Sequence, residues 1–169
     1  MGIARMNHAV LYVRDAARSA AFYRDVLDFT TVLELPGGAF LRAPDSDNDH
    51  DIAFFSIGAG AGPSGAGRST VGLYHLAWEV GTLADLIGLR RRLLDAGALV
   101  GESDHTVSKS LYARDPDGLE FEVCWVVPLA LIGEVGELDP RPLPLDLARE
   151  VDRFGADTPG GRATAAPAA

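Results

Sequence analysis

A single cysteine, Cys124, among 169 residues excludes an internal disulfide. No apolar run approaches the roughly 20 residues that a membrane span needs. The opening stretch MGIARMNHAVLY lacks the basic-then-apolar layout of a secretion signal. Positive charge is short as well: 15 Lys and Arg against 24 Asp and Glu leave a net charge of −9, which argues against nucleic acid or an anionic membrane as a partner. The chain therefore reads as cytoplasmic. Its 47% hydrophobic content suits a globular protein with one substantial core or two small ones.

Two stretches of the chain repeat one pattern. Met6 to Val13 alternates as a strand, with His8, Val10 and Tyr12 on one face. Asp15 can cap a helix over Ala16 to Leu27, and strands follow at Thr30 to Leu35, Ala39 to Ala43 and Ile52 to Ile57. From Leu73 the same order returns: a strand to Val80, an amphipathic helix over Leu83 to Ala96 with Gly97 just beyond its end, then strands at Leu99 and Val100, Ser108 to Ala113 and Leu119 to Val126. An internal duplication of a β-α-β-β-β unit is the economical reading. The expected division is residues 1–57 as the first module, a glycine-rich linker over 58–70, the second module over 71–127 and a proline-rich extension over 128–169. The linker's glycines do not make a phosphate loop, because the motif's lysine and Ser/Thr are missing and no helix follows. In the extension, Leu145 to Phe154 can form one short helix, and the last ten or so residues look disordered.

The chemistry concentrates between Asp104 and Trp125. Asp115-Pro116-Asp117-Gly118 is turn chemistry, so the flanking extended runs meet as a hairpin. After the turn, alternation sends Phe121, Val123 and Trp125 to one face and Glu120, Glu122 and Cys124 to the other. The first set is core packing; the second puts carboxylates where apolar side chains are usual. His8 and His75 hold equivalent places in the two repeats, and pairing such strands about a pseudo-twofold would bring their imidazoles together. With Glu122 they make two histidines and one carboxylate, a facial set with open positions that suits Fe(II) or another divalent ion. Glu120 and Cys124 lie about 7 Å along the strand from Glu122 and count as lining. His50 sits in the polar loop PDSDNDHD and reads as a surface residue.

NHAVLYVRD with AFYRDVLDF, YHLAWEV, and YARDPDGLEFEV together resemble the vicinal oxygen chelate superfamily: glyoxalase I, type I extradiol dioxygenases, and fosfomycin and bleomycin resistance proteins. The resemblance covers about Arg5 to Val127. It implies an α+β fold of two tandem βαβββ modules, forming paired, curved mixed sheets around a metal-binding cavity, with His8, His75 and Glu122 as ligands. It also implies a divalent metal, Fe(II) first, with Mn(II), Zn(II) or Ni(II) as alternatives. Where glyoxalase I places a further glutamate ligand in the fourth strand, this chain reads IAFFSI, which favours the dioxygenase branch. Tyr112, ten residues before Glu122, stands where extradiol enzymes place an active-site tyrosine, and His105 lies in the loop where they carry an acid/base histidine.

The resemblance thus implies extradiol cleavage of a catecholic aromatic with O2, His105 moving protons and Tyr112 hydrogen-bonding a substrate oxygen. A glyoxalase-like isomerase or thiol transferase on the same ligands is one alternative; a non-catalytic binding protein of the bleomycin-resistance kind is another. A homodimer is also expected, from the proline-rich tail and from sheet edges that a two-module monomer leaves exposed.

Overall fold

The computed structural model describes residues 2–67, 69–137, 139 and 141–161. The chain divides into two compact units, one of residues 1–70 with Asp115–Leu119, the other of Val71–Arg114 with residues 120–169. Each carries one copy of the repeated pattern, and the fold is α+β.

In the first unit, β1 (Ala9–Val13), α1 (Ala16–Leu27), β2 (Thr30–Leu35), β3 (Gly38–Arg42) and β4 (Ile52–Ser56) follow in order. The sheet order is β1-β4-β3-β2, parallel between β1 and β4 and antiparallel elsewhere. Asp15 caps α1 by accepting from the amides of Ala17 and Arg18. Asp28, in the left-handed region at φ 61°, ends the helix. The β2–β3 reversal needs Gly37 at φ 78°, which a side chain would strain. Alternation then sorts the strands: Ala39, Leu41, Ile52 and Phe54 are buried on the same side as Ala16, Ala20, Tyr23 and Leu27 of α1. Tyr23 and Phe54 stack with ring centroids 5.0 Å apart. Phe54 is fully buried, and Phe54→Ala should cost about 3–5 kcal/mol through lost transfer energy and a cavity. Urea denaturation checks this: a shift under about 1 kcal/mol would mean that the core closes over the gap.

Asp115–Leu119 group with this first unit. Asp115 Oδ1 accepts from the amides of Asp117 and Leu119, and Gly118 turns at φ 83°, as the Asp-Pro-Asp-Gly sequence predicts. Arg14 donates to Asp117 through its amide at 2.7 Å and its guanidinium at 2.9 Å. Burial alone would raise the Asp117 carboxyl, but the two donations from Arg14 and its charge outweigh that and hold it below the usual carboxylate range.

The second unit repeats the plan with β5 (Leu76–Glu79), α2 (Leu83–Asp95), β6 (Leu99–Asp104), β7 (Ser108–Arg114) and β8 (Glu120–Val126), in sheet order β5-β8-β7-β6. Thr82 caps α2 on the Asp85 amide, and Gly97, at φ 64°, follows the helix end as expected. Leu83, Leu86, Leu89 and Leu93 line the buried side of α2, which packs on β6, β7 and β8. Along β8 the side chains alternate half-buried and buried, with Phe121, Val123 and Trp125 inside.

The extension joins this unit. Past a 3₁₀ turn at Leu129–Glu134, α3 (Leu147–Phe154) forms where a short helix is expected, and Phe154 stacks on Trp125 at 5.5 Å. Beyond α3, Thr158 O accepts from Trp125 Nε1, Gly160 N donates to Gly81 O and Gly161 N donates to Val126 O. Glycine is required there: a Cβ on Gly160 would lie 2.6 Å from the Trp125 ring, and one on Gly161 would overlap the Glu79 carboxylate. The expected disorder of the last residues falls on 162–169, outside the described residues. Among the described residues, no helix is long and apolar enough to cross a membrane.

Candidate active site

The face of the second sheet opposite its core is built by register. β8 pairs Glu122 with Tyr112 of β7 on one side and with Ala77 of β5 on the other, so Tyr112, Glu122 and Ala77 share a face. His75, two residues before Ala77, stands at the entry to β5. Its Nε2 lies 3.1 Å from Glu122 Oε2, with the two side chains 24% and 13% exposed. The His75 ring is also 5.9 Å from the Tyr112 ring. At the far end of β7, His105 Nε2 meets the Tyr112 hydroxyl at 2.8 Å. Four of the five predicted site residues therefore belong to one unit and form two contacting pairs linked through Tyr112.

His8, the fifth, lies in the first unit, immediately before β1 rather than within it. Its Nδ1 is 2.7 Å from Asn7 Oδ1, and its ring centroid is 4.5 Å from that of His50. His50 is a residue that sequence reasoning placed at the surface. Its side chain is only 16% exposed, and its ring also meets Phe40 edge-on at 5.2 Å. The loop that brings it there is pinned by Asp51, whose carboxylate accepts from the Ala43 amide, Ser46 Oγ and Asn48 Nδ2, while Asn48 Nδ2 also reaches Asn7 O. An aspartate directly after His50 was the one visible signal, and its partners cannot be named from spacing.

The electrostatics of the second-unit face are those of buried acid. Burial first, and the Glu122 charge second, push the Tyr112 phenol up to about 12, so it keeps its proton at neutral pH. Burial, with Glu122 and Glu79 adding to it, pushes the Cys124 thiol up to about 12. Cys124 is half-buried, two residues along β8 from Glu122, and remains lining.

Among the described residues, no group of three or more His, Cys, Asp and Glu stands close enough to hold a metal ion. The His75–Glu122 pair nevertheless suits one. Adjacent ligands each about 2.1 Å from an octahedral ion sit about 3.0 Å apart, which matches the 3.1 Å between Nε2 and Oε2. Among the described residues His75 Nδ1 is buried without a hydrogen-bond partner, so this ring holds an unused donor or acceptor next to the carboxylate.

The chain is similar to known proteins over most of its length. Over 125 residues the chain is 37% identical to biphenyl-2,3-diol 1,2-dioxygenase 3 of Rhodococcus globerulus, covering 70% of this chain and 62% of that one. It is 33% identical over 118 residues to the catechol-2,3-dioxygenase of Bacillus subtilis (strain 168), covering 70% of this chain and 40% of that one. The match thus spans less than two thirds of either relative. A solved glyoxylase/bleomycin resistance protein/dioxygenase domain from Frankia sp. EAN1pec superposes with a TM-score of 0.61 at 25% identity, over 73% of this chain and 92% of that one. Residues 5–123 match the model of one family, and with two four-stranded mixed sheets in the same βαβββ order the chain belongs to the glyoxalase/bleomycin resistance protein/dioxygenase superfamily.

Proposed function

We propose that this chain is a metal-dependent dioxygenase that opens a catecholic aromatic ring by extradiol cleavage with O2. The observation that carries the reading is the 2.8 Å contact between His105 Nε2 and the Tyr112 hydroxyl, on the sheet that also presents Glu122 and His75. An isomerase working through the metal ligands alone has no need of this second pair. The two relatives whose names are dioxygenases of biphenyl-2,3-diol and catechol support the same substrate class.

His75 and Glu122 would hold the metal, with His8 as the further ligand that the family resemblance implies and that substitution tests; when bound, the metal supplies a positive centre for the catechol oxygens and O2. The chain's own residues do the rest. The phenol of Tyr112, kept protonated by its surroundings, offers a hydrogen bond to a substrate oxygen. His105 can meet that phenol in either tautomer: with Nε2 bare it accepts a hydrogen bond from the phenol, and with Nε2 protonated it donates to the phenol oxygen and frees the O–H for the substrate. In both tautomers the phenol keeps its own proton, so the hydrogen bond can reverse direction while His105 remains the group that takes up or gives off a proton.

Elemental analysis of protein purified without oxygen, followed by oxygen uptake with a panel of catechols, tests the reading. The expected result is close to one Fe(II) per chain and uptake with at least one catechol. Iron-loaded protein that consumes no oxygen with any of them would remove the dioxygenase reading.

A further inference from the structure

His105 stands in a turn that its own sequence does not favour. Thr106, the next residue, has φ 69°, a conformation that a β-branched side chain takes only when its surroundings impose it. Val107 N donates to His105 O at 2.8 Å, closing a three-residue turn, and His105 N donates to Ser108 O at 2.9 Å. Such tight turns with positive φ are rare and strained.

What imposes the turn is a buried ionic cluster behind it. Asp104 Oδ1 accepts from the Thr106 amide at 2.7 Å and from Lys109 Nζ at 2.5 Å, and Lys109 Nζ also donates to Thr106 O at 3.2 Å. Lys109 is the only lysine of the chain, and it is fully buried. Its second anion is Glu150 of α3, 3.1 Å away and equally buried. Arg149 donates to Glu150 Oε1 at 2.8 Å and to Asp104 Oδ2 at 3.1 Å. The main chain of Asp104 exchanges both hydrogen bonds with Leu143, just ahead of α3. Both sides of the His105 turn are therefore tied to the C-terminal segment, and a buried lysine that lost one anion would have to find another.

We propose that α3 sets the position of His105: Glu150 and Arg149, acting through Lys109 and Asp104, hold the strained turn that keeps the imidazole against Tyr112. They are positioning residues, remote from the ring pair itself. The inference deepens the proposed function and rests on its reading of the His105–Tyr112 pair as the proton-handling couple. With the Glu150 charge gone, Lys109 and Asp104 rearrange, Thr106 relaxes toward negative φ, and the His105 ring swings off the phenol.

The test uses full-length, metal-free protein labelled at histidine and tyrosine, read by NMR at one fixed pH. Wild type should show a cross-relaxation peak between the His105 and Tyr112 rings and the imidazole nitrogen shifts of a hydrogen-bonded ring. Glu150→Gln should weaken that peak severalfold and move the His105 nitrogens toward free-imidazole values, while Asp152→Asn, on α3 but outside the cluster, should leave both unchanged. Arg149→Gln, at a side chain 57% exposed, should shift the signals in the same direction and covers the case in which Glu150→Gln does not fold. A lower melting temperature with unaltered His105 signals in the folded variants would overturn the inference, since the cluster would then only hold the fold together. Neither metal nor substrate enters the measurement, so failure of the dioxygenase reading leaves the result standing.

Discussion

Glu122→Ala protein is expected to emerge from purification without stoichiometric metal, and His75→Ala and His8→Ala likewise. Losing a residue that only supports a metal ligand typically weakens affinity about 10–100-fold, so losing a ligand itself should exceed about 100-fold. The fold should survive. Glu122 points away from the core that Phe121, Val123 and Trp125 fill, and both Glu122 and His75 keep some exposure to water. Circular dichroism matching wild type, beside metal content by elemental analysis, separates a lost site from a lost structure. Three variants with normal metal would remove the site altogether. Normal metal in His8→Ala alone would mean that the histidine beside His50 belongs to something else and that His75 and Glu122 recruit a different third ligand.

Tyr112→Phe and His105→Ala should do the opposite: keep the metal and lose the reaction. Tyr112→Phe retains the ring that packs by His75 and removes only the hydroxyl, which His105 contacts at 2.8 Å. His105→Ala removes the proton partner. A positioned acid or base is typically worth about 10²–10⁴-fold, so turnover on a catechol that wild type accepts should fall by about 10²-fold or more in each variant, with metal content unchanged. The double variant should be little worse than either single one, because the two side chains act as one unit. Wild-type turnover in either single variant would remove that residue from the chemistry.

Much of this was visible along the chain because it depends on neighbours in sequence. The alternation of β8, the cap at Asp15, the Asp-Pro-Asp-Gly turn and the repetition of β-α-β-β-β are all local patterns. Tyr112 was picked out by its resemblance to a family tyrosine ten residues before the glutamate, and the pairing of β7 with β8 sets it directly opposite Glu122. The short spacing between His105 and Tyr112 was harder, because their contact requires positive φ at Thr106, the last residue type that a reading of propensities would put there. His50 was missed because the loop carrying it is shaped by side-chain bonds to Asp51, which spacing does not encode. The helix α3 could be foreseen from composition, but its buried glutamate could not. Glu150 finds Lys109 41 residues away in sequence, and only the packed structure brings them to 3.1 Å.

The buried position of Lys109 gives the protein an internal reporter. Reagents that acylate amines, and a protease that cuts only after lysine, meet no exposed lysine side chain in the folded chain. Acylation of Lys109 requires that the side chain first be uncovered, so its rate reports how often the packing around Lys109, the Glu150 contact from α3 included, opens. Acetylation or ubiquitin attachment, the usual cellular marks on lysine, would be confined to molecules caught in that opened form.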